Sequence, residues 1–127
     1  DNYISNVVER LKVYKQLDAM ESEEDLAPLM QSLTDRFGSI PSQTLELFEI
    51  VKLRILAKKL YVEKISIKQN KMTITINSQS NAIENVIIYA QSYPSQCLVS
   101  QQEEKLILSI KSIDKIDKAI KVFTALQ

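Results

Sequence analysis

Residues 62–77 read Val-Glu-Lys-Ile-Ser-Ile-Lys-Gln-Asn-Lys-Met-Thr-Ile-Thr-Ile-Asn. Ile65 and Ile67 alternate with polar residues, as do Met72, Ile74 and Ile76, and Gln69-Asn70-Lys71 separates the two runs. Side chains along a strand point alternately to opposite faces, so this period of two predicts a β-hairpin with one buried face and a turn at 69–71. The stretch decides the fold class, because every apolar pattern before it has the period of a helix.

Working back from the hairpin, Pro41 opens a helix predicted to reach Leu60. Proline suits a first helical turn, where its missing N–H has no partner to lose. Leu45, Leu47, Phe48, Ile50, Val51, Leu53, Ile55, Leu56, Ala57 and Leu60 cover more than one face, which predicts a central helix. Before it, Ser22-Glu23-Glu24-Asp25 reads as a helix start, with Ser22 accepting from the Asp25 N–H and the acids complementing the helix dipole. Leu26, Leu29, Met30 and Leu33 supply the buried stripe, and Gly38, the one glycine of the chain, is the expected C-cap. Ile4, Val7, Val8, Leu11, Tyr14, Leu17 and Met20 draw a further stripe, predicting a first helix over 4–20 capped by Asp1 or Asn2.

Working forward, Ser80 begins a predicted helix carrying Ile83, Val86, Ile87 and Ala90 that stops before Pro94. Cys97–Val99 and Leu106–Ile110 form a second hairpin around 101–104, and Ser112 caps a last helix with Ile113, Ile116, Ile120, Phe123 and Leu126. The half after Tyr61 therefore reads as two β-β-α units at an offset of about 34 residues. Met72, Ile74, Ile76, Ser78, Val86 and Tyr89 match Leu106, Leu108, Ile110, Ser112, Ile120 and Phe123 by class. The expected fold is α+β: three helices over residues 1–61, then a mainly antiparallel four-stranded sheet over 62–127 with helices on one face.

Composition narrows the chemistry. The 127 residues carry 45% hydrophobic and 25% charged side chains, enough for a packed core, and sixteen cations balance sixteen anions. A neutral domain lacks the broad positive field of a dedicated nucleic-acid binder. There is no histidine, which removes the commonest general base and the serine–histidine and cysteine–histidine nucleophiles. One glycine excludes the phosphate-cradling glycine loops. Cys97 stands alone, so no intrachain disulfide forms; it reads as a small hydrophobe in a strand. Glu21, Glu23, Glu24 and Asp25 could hold a hard cation but read first as helix-start charges on a solvated face. Arg54, Lys58 and Lys59, with Lys64, Lys68 and Lys71, read as helix-end and edge-strand charges. No apolar run approaches the ~20 residues of a membrane span. The expectations are a non-enzymatic, cytoplasmic domain without catalytic, cofactor or metal residues, and a start lacking methionine hints at a piece of a longer protein.

Between Tyr3 and Ile65, the order and spacing of Tyr14, Asp35-Arg36-Phe37-Gly38, Pro41, Leu53-Arg54-Ile55-Leu56-Ala57 and Leu60 through Ile65 carry a family signature. The chain resembles the C-terminal domain of bacterial transcription-repair coupling factors of the Mfd type. The likeness implies a parent protein that is an ATP-driven, magnesium-using DNA translocase, which displaces stalled RNA polymerase and recruits the excision-repair protein UvrA. It implies that this domain masks the parent's UvrA-binding module in the resting state. The implied contact lies late in the second helix, where family members carry acids facing arginines. Asp35 keeps that position, Ser32 is neutral one turn earlier, and Arg36 either joins the contact or braces the Gly38 turn. Tyr61 stands where the family has a helix-ending glycine, and Ser39 where it often has proline. The alternative from another class is a nucleic-acid-binding accessory domain using the lysine-bearing hairpin.

Overall fold

The computed structural model describes residues 3–127. Its elements run α1 (Val7–Ala19), a 3-10 turn at Glu23–Asp25, α2 (Leu26–Phe37), α3 (Ser42–Lys59), β1 (Val62–Lys68) and β2 (Lys71–Asn77). Then follow α4 (Ile83–Ser92), β3 (Cys97–Gln102), β4 (Lys105–Lys111) and α5 (Ile116–Leu126). Backbone proximity divides the chain into Asp1–Ile55 and Leu56–Gln127, so the division falls inside α3, whereas the change of periodicity lies after Tyr61.

In the first unit the core is Ile4, Val13, Leu17, Leu26, Leu33, Phe48, Val51 and Ile55. Helix α1 starts later than its apolar pattern suggests. Asn6, in extended conformation, accepts the Glu9 N–H at 3.0 Å and caps it, while Asp1 and Asn2 lie outside the described residues. The predicted stripe is buried only at its ends: Ile4 and Leu17 are buried, Val7, Val8, Leu11 and Tyr14 are exposed, and Val13, outside the stripe, turns inward. Arg54 of α3 donates to the Leu17 and Met20 carbonyls at 2.8 and 3.3 Å, satisfying α1's C-terminal acceptors instead of joining a basic edge. Ser22 accepts from Glu24 rather than Asp25, because the chain makes a 3-10 turn before α2 begins. Gly38 ends α2 at φ 86°, where a side chain is strained.

The second unit is a four-stranded antiparallel sheet in the order β1-β2-β4-β3. The first hairpin turn has two residues, not three: Gln69 and Asn70 both take positive φ, Lys68 pairs with Lys71, and Lys71 belongs to β2. The second turn is likewise Glu103-Glu104, so β3 and β4 are longer than their apolar residues alone suggest. Met72, Ile74, Ile76, Leu108 and Ile110 are almost wholly buried on one face, with Val86, Phe123 and Leu126 of the helices. Ile74 and Leu108, equivalent in the two β-β-α units, stand opposite each other, and Met72–Ile110 and Ile76–Leu106 flank them symmetrically. The repeat thus reappears as local two-fold pairing of the central strands. It weakens in the helices, where Val86 and Phe123 are buried but Ile120 and Tyr89 are only half-buried.

Two predicted helix caps take other roles. Ser80 is buried three residues before α4; its Oγ donates to the Leu60 carbonyl at 2.6 Å and accepts the Ala82 N–H at 3.0 Å. Ser112 adopts φ 64° as β4 ends, and the Ile113 N–H then reaches the Asn70 carbonyl at 3.0 Å. Helix α5 therefore begins at Ile116.

Candidate functional site

The surface singled out by the sequence lies on α2. Leu26, Leu29, Met30, Leu33 and Phe37 recur at three- and four-residue steps, which fixes one side of this helix inward. Pro28 fits the first turn, where no intrahelical N–H bond is lost. The outward side carries Ser32, Asp35 and Arg36, all exposed. The three are not equivalent. Ser32 and Arg36 line a groove of about 550 Å³ with Val13, Gln16, Met20 and Leu29, whereas Asp35 stands beside it.

Arg36 is already engaged within its own unit. Its guanidinium is 2.9 Å from Glu9 of α1 and 4.9 Å from the centre of the Phe37 ring. The Arg36 hydrogen bond, and then the charge of Lys12, hold the Glu9 carboxyl below its ordinary range. Arg36 does not brace the Gly38 turn; the Tyr3 hydroxyl does, lying 2.7 Å from the Gly38 carbonyl and 3.1 Å from that of Leu33. The Tyr3 ring also packs edge-on to Phe37 at 5.9 Å.

Asp35 differs from its neighbour. It accepts a 3.0 Å hydrogen bond from the Gln31 amide one turn back, and its partner there is neutral. Its negative charge stays uncompensated by any salt bridge among the described residues. The chemistry this surface offers is therefore a preoriented carboxylate able to accept a charge-assisted bond from a cation on another surface. Gln31 was readable from its i,i+4 spacing to Asp35. Glu9 was not, because it meets Arg36 across 27 residues of chain.

Elsewhere the other sequence candidates separate. Glu23, Glu24 and Asp25 form the 3-10 turn, and among the described residues no group of three or more potential ligands is placed to hold a metal ion. Cys97 opens β3 half-buried, and burial pushes its thiol up from the ordinary value. Lys58 and Lys59, at the end of α3, line a second groove of about 860 Å³ with Tyr61, Glu63, Asn77 and Asn81. Lys64, Lys68 and Lys71 lie on the first hairpin. No helix among the described residues is long and apolar enough to cross a membrane.

Comparison with known proteins agrees with this architecture. A family model described as the TRCF domain matches residues 1–86. The transcription-repair-coupling factor of Borreliella burgdorferi is 30% identical over 120 residues, covering 93% of this chain and 11% of that protein. That of Rickettsia bellii is 24% identical over 115 residues, 91% of this chain and 10% of the relative. That of Haemophilus influenzae reaches 42% over 65 residues, 51% of this chain and 6% of the relative. The chain thus spans about a tenth of the length of the first two. Among solved structures, a crystal structure of the C-terminal domain of a transcription-repair coupling factor superposes with a TM-score of 0.82. That match has 21% identity and covers 99% of this chain and 83% of the other, a likeness of fold.

Proposed function

The chain belongs to the TRCF-domain family of transcription-repair coupling factors, and from that premise we propose that it is a regulatory, protein-binding domain whose α2 surface docks on, and masks, the UvrA-binding module of its own parent protein. In this reading the domain performs no catalysis. The parent is an ATP-dependent DNA translocase whose motor, with ATP and magnesium, lies in other domains, as do the contacts to RNA polymerase, UvrA and DNA.

The observation that carries the reading is the contrast between Asp35 and Arg36. Arg36 is paired with Glu9, so docking through it would first break a 2.9 Å contact. Asp35 is exposed, oriented by Gln31 and without a cation, so it can accept an arginine from another surface without first breaking an ion pair. The neutral Ser32 and the adjoining groove add contact area without a second ion pair.

The test is calorimetry of this chain against the isolated UvrA-binding module of the same parent, at two salt concentrations. A hydrogen bond to a charged partner contributes about 1.5–3 kcal/mol, so Asp35→Asn should weaken binding roughly 10- to 150-fold and Asp35→Arg at least as much. Added salt should weaken the parent chain's binding and affect the Asp35→Asn variant less. Binding in the micromolar range is not required, because tethering supplies an effective concentration on the order of millimolar. No association at millimolar concentration, or unchanged affinity in Asp35→Arg, would show that this surface is not the clamp.

A further inference from the structure

The pairing register of the sheet brings together lysines that lie far apart in the chain. Lys68 of β1 is opposite Lys71 of β2, and Lys71 is opposite Lys111 of β4. Directly opposed residues of antiparallel strands point to the same face. All three lie on the face away from Met72, Ile74 and Ile76, and all three are exposed. Adjacent strands are about 4.8 Å apart, so three ammonium-bearing side chains spring from a line about 10 Å long.

The next row on the same face is Ser66, Thr73 and Ser109, with Leu98 at the β3 edge. Three hydroxyls thus stand beside three lysines. Lys64 follows one row further along β1, opposite Thr75.

Such a row has an energetic cost. Like charges directly opposite each other destabilise a sheet, and here two such pairs are consecutive. Elsewhere Lys105 is paired with Glu63 and Lys118 with Asp114, while Lys12 shares Glu9 with Arg36. Lys68, Lys71 and Lys111 make no salt bridge among the described residues. The loop after β4 reaches this end of the sheet through the Ile113–Asn70 bond, but its acid, Asp114, is held by Lys118 at 2.8 Å.

The geometry points to a binding site for the phosphate backbone of duplex nucleic acid on this face, with Lys68, Lys71 and Lys111 on the phosphates and Ser66, Thr73 and Ser109 donating beside them. Charge complementarity selects the polyanion: duplex DNA carries one charge per about 1.7 Å of axis, so all three lysines find phosphates within the row's length. Hydroxyl donors next to cations are the usual phosphate-contacting set and read no base. The face carries no aromatic side chain on which unpaired bases could stack, which favours a duplex over a single strand. Lysines without an aromatic anchor likewise disfavour a protein partner on the row. The site is remote in sequence from Asp35 and stands whether or not the masking reading does.

The experiment titrates a 20-base-pair duplex into the 127-residue chain at low salt and follows backbone amide signals by NMR. The expected result is shifts confined to residues 64–75 and 107–111. Three phosphates neutralised imply a log–log salt slope of about −2.7. The triple variant Lys68→Gln, Lys71→Gln, Lys111→Gln should lose at least tenfold in affinity and most of that slope. Its melting temperature should not fall, since repulsion is relieved, and Lys121→Gln, an exposed lysine on α5, should bind like the parent. No shifts at a millimolar concentration of duplex would overturn the site, as would shifts centred on Lys58 and Lys59 or undiminished binding by the triple variant. Tighter binding of a single strand would overturn the duplex assignment, and equal competition by polyglutamate of matched charge would overturn nucleic acid as the occupant.

Discussion

Replacing Ser80 by alanine should destabilise the second unit by about 2–3 kcal/mol, far more than a serine-to-alanine change usually does. Ser80 is the buried polar residue of the described chain, 7% exposed, and Leu60 and Ala82 on either side of its hydroxyl are no more accessible. The hydroxyl donates to the Leu60 carbonyl at 2.6 Å and accepts from the Ala82 N–H at 3.0 Å. Leu60 follows the last residue of α3, so its carbonyl belongs to the acceptors that a helix end leaves without an intrahelical partner. Alanine removes one bond at each end, each worth about 1 kcal/mol net, and leaves a buried carbonyl whose desolvation costs about 1–3 kcal/mol. These contributions overlap, which sets the total at about 2–3 rather than their sum.

The assay is urea unfolding followed through the NMR signals of β2 and β4 amides, which report the second unit directly. At an m-value of about 2 kcal/mol/M the midpoint should fall by about 1–1.5 M. The control is Ser92→Ala. Ser92 also donates to a carbonyl, that of Ile88 at 2.8 Å, but on an exposed helix face where water replaces it, so the change should stay within about 0.5 kcal/mol. If Ser80→Ala matched Ser92→Ala, the argument that burial of the Leu60 acceptor sets the cost would be wrong.

Two further outcomes follow from backbone strain and charge. Tyr61 is 63% exposed and sits at φ 56°. Relief of about 1–2 kcal/mol of left-handed strain, less about 0.5–1 for glycine's chain entropy, should make Tyr61→Gly more stable by about 0.5–1 kcal/mol. Tyr61→Ala, which keeps a Cβ, should gain nothing, and equal melting temperatures for the two variants would refute the strain argument. For Glu9, the folded carboxyl is held below its ordinary value of 4.5, so the stabilisation from Arg36 is complete above that value and lost as pH falls through the lowered one. Thermal melts should therefore show the parent's advantage over Glu9→Gln shrinking below about pH 4.5; an advantage independent of pH would remove the ion pair as its cause.

Local patterns made much of the fold legible. The switch from three-and-four spacing to alternation marked where helices give way to strands, because those periods are properties of the backbone itself. Gly38 as C-cap was readable because a positive φ is a local demand that glycine reveals, whereas the positive φ at Tyr61 was legible only through the family resemblance, which has a glycine there. Elements were misplaced at their ends. A 3-10 turn, two-residue hairpin turns and an exit at Ser112 each moved a boundary, and the last of these is tied to a distant carbonyl, that of Asn70, by the Ile113 N–H. The buried side of α1 was only partly legible: Leu17 of the apolar stripe is buried, but Val7, Val8, Leu11 and Tyr14 are exposed and Val13 is taken in instead.

At the candidate site, sequence alone determined which charges and hydroxyls exist, that no histidine chemistry is possible, and which helix carries Ser32, Asp35 and Arg36. Tertiary structure decided which of these groups is free to act. Glu9 neutralises Arg36 from another helix while Asp35 keeps only a neutral neighbour, and strand register sets Lys111 beside Lys71 although 40 residues separate them. Electrostatic interactions depend on distance through space, and that distance is fixed only once the chain has folded.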